Sequence, residues 1–304
     1  MPSAYYDQVS KLPQIVPAAV TAFSPGGERV LLDFVPQHLA YLEHHGADGV
    51  LTLGTNGEGV SLSMDERKEV IDAVITHRGR LGVFAGTGCT ALPETISLTN
   101  YAIERGVDGV MIVPPYYFKN LPTKGLIAYY DALMSALPSQ RKVLLYNIPS
   151  HSGVEISDNL VDALLERHEE RLLGVKDTSG DIETTRRYIE RYPQLAIYNG
   201  SDSNTALAAE AGAAGAISAV GNVFPDRVAA AWEAGEAGDN PEGVEEAQAE
   251  LTKVRDFITK FPSHSAIKHL LHFAAGLPLT SVRPPLRDLT PAEGKTIELE
   301  AHNL

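Results

Sequence analysis

A lysine that ends an apolar strand is a candidate nucleophile, and Lys176 holds that place in Leu172-Leu-Gly-Val-Lys-Asp-Thr-Ser-Gly180. Apolar surroundings desolvate an ammonium and favour the neutral amine, which attacks a ketone to form a Schiff base. A lone lysine there is otherwise expected to snorkel and pair with a carboxylate such as Asp177. Tyr146 closes the preceding apolar run, in Leu145-Tyr-Asn-Ile-Pro149, so the two side chains fall at the ends of adjacent strands. A phenol beside the amine can shuttle protons during carbinolamine formation and later bond cleavage. Gly54-Thr-Asn-Gly-Glu-Gly59 follows another such run. Its glycines let the Thr55 and Asn56 amides form an anion nest suited to a carboxylate, with the Thr55 hydroxyl as a proton relay. Taken alone, the same segment also reads as a polar turn, with Glu58 as a loop brace.

These residues need a frame that brings strand ends together. Eight short apolar or β-branched runs recur, over 15–23, 49–54, 81–86, 109–113, 142–148, 172–176, 195–199 and 215–220. Stretches of helical period separate them, over 65–77, 92–105, 124–137, 158–168, 181–192 and 203–211. Alternation of this kind requires parallel pairing through crossover helices. The phrases Gly46-Ala-Asp-Gly-Val50, Gly106-Val-Asp-Gly-Val110 and Gly212-Ala-Ala-Gly-Ala216 supply a left-handed helix cap followed by a tight strand entry. The spacing predicts an α/β fold, a (β/α)8 TIM barrel over residues 1–236, with a doubly wound open sheet as the other arrangement. Residues 237–304 read as a C-terminal helical extension of two or three helices, interrupted at Val282-Arg-Pro-Pro-Leu286, which cannot be helical.

Composition narrows the chemistry. The formal net charge of −14 carries no basic cluster, which argues against nucleic acid or an anionic membrane as partner. A single cysteine, Cys89, excludes an intrachain disulfide and is expected to serve packing. With no signal peptide or membrane-length apolar run, a cytoplasmic protein is expected. Gly86-Thr-Gly-Cys-Thr-Ala91 nearly spells a dinucleotide fingerprint, yet the next strand ends Ile112-Val-Pro-Pro115 without the acidic residue a ribose requires. No histidine combines ligand spacing with a strand end; His44, His45, His168, His264, His269 and His272 read as surface or packing residues, as does Lys268 beside them. Neither a metal site nor a nicotinamide cofactor is expected from these residues, and no Gly-x-Ser-x-Gly elbow occurs.

With Lys176, Tyr146, the Gly54 loop and the Tyr116-Tyr117 pair in this order, residues 16–223 resemble the dihydrodipicolinate synthase and N-acetylneuraminate lyase family of pyruvate-dependent class I aldolases. The resemblance implies a cofactor-free (β/α)8 barrel assembled as a homotetramer. It implies that Lys176 forms the imine with pyruvate, that Tyr146 is the acid/base, and that the Thr55 and Asn56 amides receive the keto-acid carboxylate. Thr55 and Tyr117 would complete a proton relay, and Gly200 and Ile217 would line the pocket. In some members the tyrosine equivalent to Tyr117 reaches into a neighbouring subunit's site.

Two departures bear on the substrate. The synthases carry arginine where this chain has His151, and a neutral imidazole cannot replace a guanidinium fork; they carry a second threonine where Asn56 stands. Gly54-Thr-Asn-Gly-Glu is similar to the hydroxy-oxoglutarate aldolase branch, and Lys176-Asp-Thr-Ser-Gly-Asp181 to the sugar-acid branches. Thr178, Ser201, Asp202 and Ser218 offer partners to a polyhydroxylated chain. The expectation is a Schiff-base lyase acting on a 2-keto-3-deoxy sugar acid or a 4-hydroxy-2-oxoglutarate, with pyruvate as product or donor. Dihydrodipicolinate synthesis, dehydration of a keto-deoxy sugar acid through the same imine, and a keto-acid-binding regulatory role are the alternatives.

Overall fold

The computed structural model describes residues 12–140 and 142–304. Eight parallel strands, β1 (Ile15–Pro17), β2 (Gly49–Thr52), β3 (Gly82–Gly86), β4 (Gly109–Ile112), β5 (Val143–Asn147), β6 (Leu172–Asp177), β7 (Ala196–Asn199) and β8 (Gly215–Ser218), pair in the order β1-β8-β7-β6-β5-β4-β3-β2. The remaining edges meet through a parallel bridge between Ala18 and Leu51, with the Ala19 amide donating to the Leu51 carbonyl at 2.9 Å. That contact closes the sheet into a (β/α)8 barrel and removes the open-sheet alternative.

The first strand is shorter than the apolar run that announced it. Its ladder with β8 ends at Pro17, and past the closing contact at Ala18 and Ala19 the chain leaves the barrel wall: the Val20 amide donates to Asn222 Oδ1, and Phe23 bridges antiparallel to Val30 and Ser281. At the helix ends, Gly46, Gly106 and Gly212 all take positive φ, as the recurrent phrase required.

Strand alternation sorts the apolar side chains into layers. Val16, Leu51, Phe84, Met111, Leu144, Leu173 and Tyr198 fill the barrel interior. A second cluster joins the outer strand faces to the surrounding helices through residues such as Val50, Val83, Leu98, Leu133, Leu164 and Val175. Burying each of these large side chains contributes roughly 1.5–3 kcal/mol. At the barrel floor, Tyr198 packs edge-on against Phe84 and donates its hydroxyl to the Pro13 carbonyl at 2.9 Å, so the interior is solid below the site.

Three further helices, Pro241–Thr259, Ser263–Ala275 and Pro291–Glu300, follow the barrel. Leu251, Val254, Phe257, Ile267, Leu270 and Ile297 share a third cluster with Val20, Ala22 and Phe34, so this region packs on the barrel of its own chain. The non-helical segment around Arg283 lies against the loops that follow β1 and β2. Its guanidinium forks onto Glu66 with two bonds of 2.8 Å and also reaches the carbonyls of Gly27, Glu28 and Ser61. Among the described residues no helix is long and apolar enough to cross a membrane.

Candidate active site

Lys176 and Tyr146 are direct register partners on β6 and β5, and Lys176 is also paired with Tyr198 on β7. Strict alternation would not have turned the lysine inward. Leu173 belongs to the interior cluster, which by a period of two would send Val175 inward and Lys176 outward. Val175 instead packs in the outer layer. The reason is a register shift: Val143 pairs with Leu172 but Leu144 pairs with Gly174, leaving one extra residue on β6. This bulge resets the phase, so that Gly174 and Lys176 face the interior with their partners Ala196 and Tyr198.

The lysine is 4 % exposed, and its Nζ stands 4.4 Å from the centre of the Tyr146 ring. The Tyr146 hydroxyl lies 3.3 Å from the Thr55 hydroxyl. Among the described residues Lys176 has no ion-pair partner; the neighbouring Asp177 carboxylate is occupied by the Asn147 amide and the hydroxyls of Ser179 and Thr185, each within 2.9 Å. The snorkelling alternative for the lysine is therefore absent. Among the described residues the Thr55 and Asn56 amides have no hydrogen-bond partner either, which leaves two donors for a ligand's carboxylate.

These groups open onto a cavity of about 710 Å3 at the C-terminal ends of the strands, within the usual size of small-molecule sites, roughly 300–1,000 Å3. Lys176, Tyr146, Thr55, Asn56, His151, Thr178, Gly200, Asp202 and Ile217 all line it. Among the described residues the Thr178 hydroxyl, buried there, has no partner. Gly200 is required by space: a Cβ would stand 2.0 Å from the Thr178 hydroxyl and 2.8 Å from Lys176 Cε.

Two expected residues are elsewhere. Ser218 is buried behind the wall, where its hydroxyl donates to Asp202 and accepts from the Gly221 amide, so it is not a rim partner for substrate. Asp202, held also by the Val220 amide, carries a carboxyl that burial pushes above its usual range against these bonds and the Lys176 charge. Tyr117 lies outside this chain's cavity, 76 % exposed and edge-on to Phe118, because the Pro114-Pro115 turn carries it off the end of β4.

The helical region contributes more than the sequence indicates: His264 and Lys268 read there as surface or packing residues, and Arg255, Thr259 and Arg287 carry no motif. Arg255, Thr259, His264 and Arg287 also line the cavity, and Lys268 is fully buried in an ion pair with Glu58. The available signal was a lysine on the apolar face of its helix, between Ile267 and Leu271. Cys89 is buried beside Arg67, and burial pushes its thiol up, as suits a packing residue. Among the described residues no three potential metal ligands cluster.

Residues 11–302 match the profile of the Dihydrodipicolinate synthetase family. An uncharacterised DapA-like lyase of Chloroflexus aurantiacus is 41 % identical over 279 residues, 92 % of each chain. Among solved structures, a dihydrodipicolinate synthase from Bacillus anthracis superposes with a TM-score of 0.88 at 31 % identity, over 97 % of this chain and 99 % of that one. The KD(P)G aldolase from T. tenax gives a TM-score of 0.86 at 28 % identity, over 95 % and 98 %. A lysine and a phenol in contact at the strand ends of a closed (β/α)8 barrel, with a family match over nearly the whole chain, lead to one conclusion: the protein belongs to the dihydrodipicolinate synthetase family and is a Schiff-base lyase.

Proposed function

We propose that the protein cleaves or forms the C3–C4 bond of a 2-keto acid held as an imine on Lys176, with pyruvate as the common fragment. The observation that carries this reading is the stack of Lys176 Nζ on the Tyr146 ring at 4.4 Å, with the Thr55 hydroxyl 3.3 Å from the phenol. The neutral amine adds to the C2 carbonyl, and Tyr146 passes protons as the carbinolamine loses water to give a protonated imine. In the cleavage direction, the C4 hydroxyl gives up its proton, the C3–C4 bond breaks to release an aldehyde, and the electron pair moves into the imine as an enamine. Protonation at C3 and hydrolysis then return pyruvate and the free lysine. The Thr55 and Asn56 amides hold the carboxylate throughout, and Tyr117 completes the relay from a neighbouring subunit of a homotetramer.

The cavity supports a substrate longer than pyruvate. Thr178, Ser179 and Ser201 line it with small polar side chains, and Arg255 and Arg287, from the C-terminal helical region, line it too. Both arginines already hold carboxylates, Asp256 and Glu293, so they favour a second anionic group without committing a free guanidinium to it. A 2-keto-3-deoxy sugar acid or a 4-hydroxy-2-oxoglutarate meets these features. His151, on the short helix Pro149–Ser152, hydrogen-bonds with its neighbour Ser150 and offers no guanidinium fork for the aldehyde of the dihydrodipicolinate synthase reaction.

Intact mass after incubation with pyruvate and borohydride tests the chemistry: wild type should gain one reduced pyruvate, and Lys176→Ala none. An adduct on both proteins, or on neither, would sink the assignment. Product analysis across a keto-acid panel then separates aldol cleavage, which yields pyruvate plus aldehyde, from dehydration, which retains every carbon.

A further inference from the structure

We infer that the helix Ser263–Ala275 acts on the reaction through His264 and Lys268, which position the loop that receives the keto-acid carboxylate. The inference rests on the reading of the Thr55 and Asn56 amides as the carboxylate subsite.

His264 and Lys268 are four residues apart, one turn of the same helix face. Both grip the loop between β2 and its helix. His264 Nε2 donates to the Thr55 carbonyl at 3.0 Å. Lys268 Nζ donates to Glu58 Oε1 at 2.5 Å and to the Ser281 carbonyl at 2.7 Å, while Glu58 Oε2 accepts the Arg283 amide at 2.9 Å. Every charge in this second grip is buried, with side-chain exposures of 1 % for Lys268 and 0 % for Glu58.

The His264 bond bears directly on the subsite. The Thr55 carbonyl and the Asn56 N–H belong to one peptide plane, and in a trans peptide they point in opposite directions. A donor that fixes the carbonyl therefore fixes the direction of the amide. It also polarises the peptide, which strengthens the N–H as a donor to a carboxylate.

The Lys268 pair acts on the other end of the loop. Glu58 has φ of 51°, in the left-handed region that non-glycine residues rarely occupy. Such a conformation persists where surrounding bonds over-determine it, and here both carboxylate oxygens are held by elements more than 200 positions along the chain. A buried ion pair is a poor source of net stability, because desolvation offsets most of its attraction. Burial indeed pulls the Lys268 ammonium below its usual range, against the Glu58 charge. Its use here is to specify loop geometry, so the helical region belongs to the working part of the site.

His264→Phe tests this: the ring volume stays and the donor is lost. In borohydride trapping, the pyruvate concentration for half-maximal adduct should rise roughly five- to tenfold, the value of one oriented hydrogen bond. The maximal trapping rate and the melting temperature should stay near wild type. A second protein, Glu58→Gln with Lys268→Met, removes both buried charges together and should show the same selective rise. Unchanged half-saturation in both variants overturns the inference and leaves the imine reading intact. A drop in maximal rate and melting temperature without a change in half-saturation also overturns it, assigning the residues to folding alone. Failure of wild type to trap pyruvate overturns the reading beneath it as well.

Discussion

Gly174 on β6 lies so close to Ala196 on β7 that an added Cβ would stand 1.8 Å from the Ala196 carbonyl oxygen. The contact sits at the bulge that turns Lys176 inward. Gly174→Ala should therefore cost about 1–3 kcal/mol through overpacking and displace the lysine, because carbonyl backbone is a neighbour that cannot rotate away. Thermal unfolding and pyruvate trapping measured together check this. Wild-type values for both would mean that the bulge tolerates a side chain and does not set the lysine's direction.

Gly200→Ala acts from the other side of Lys176. Its methyl would meet the Thr178 hydroxyl and Lys176 Cε. The threonine can rotate and the lysine can bend, so the fold should survive while imine formation falls by roughly 10²-fold, what a misplacement near 1 Å costs. Single-turnover trapping beside a melting curve distinguishes the two effects.

Tyr146→Phe keeps the ring that covers the Lys176 ammonium and removes the hydroxyl that meets Thr55. Turnover should drop by roughly 10²–10⁴-fold, the usual contribution of a positioned acid/base. Pyruvate binding judged by saturation of slow trapping should change far less. Equal losses in both would instead give the tyrosine a packing role.

Tyr117, 76 % exposed, lies beside Phe118, 68 % exposed, and the proposed homotetramer gives it a place in a neighbour's site. Co-expression of Tyr117→Phe with Lys176→Ala chains should then recover activity that neither variant has alone, since some mixed sites receive an intact residue of each kind. Sedimentation of the wild type should show a tetramer. A monomer, or mixtures no more active than their parts, would end this assignment.

His38 predicts a pH dependence of stability. It is buried, with Nε2 3.4 Å from the Asn222 carbonyl, and burial pushes it down from 6.5 to about 4. Between those values the unfolded chain binds a proton that the folded chain does not. Stability should fall as pH drops below 6.5 and level off under about 4, a loss of about 3 kcal/mol from this group. Urea unfolding of wild type and His38→Gln across that window should show the slope diminished in the variant; parallel curves would place the titration elsewhere.

What the sequence by itself determined was everything that depends on near neighbours. Apolar runs of strand length, helical periods between them and the Gly46, Gly106 and Gly212 caps are local patterns, and they placed all eight strands and their alternation with helices, while closure into a barrel was left to the tertiary structure. Lys176 and Tyr146 were legible for the same reason, as polar groups ending apolar strands. The tertiary structure decided what depends on facing and on distance along the chain. Which way Lys176 points was set by a bulge against β5, since one extra residue reverses every side chain after it. Ser218 was drawn to Asp202, sixteen positions away, because a buried carboxylate needs donors and the hydroxyl was the nearest one. Glu58 found Lys268 across 210 positions, and His264 found Thr55 across 209. No local period records such pairs; they exist because the tertiary fold packs the helix Ser263–Ala275 against the loop after β2, where a desolvated charge is tolerated only beside its opposite.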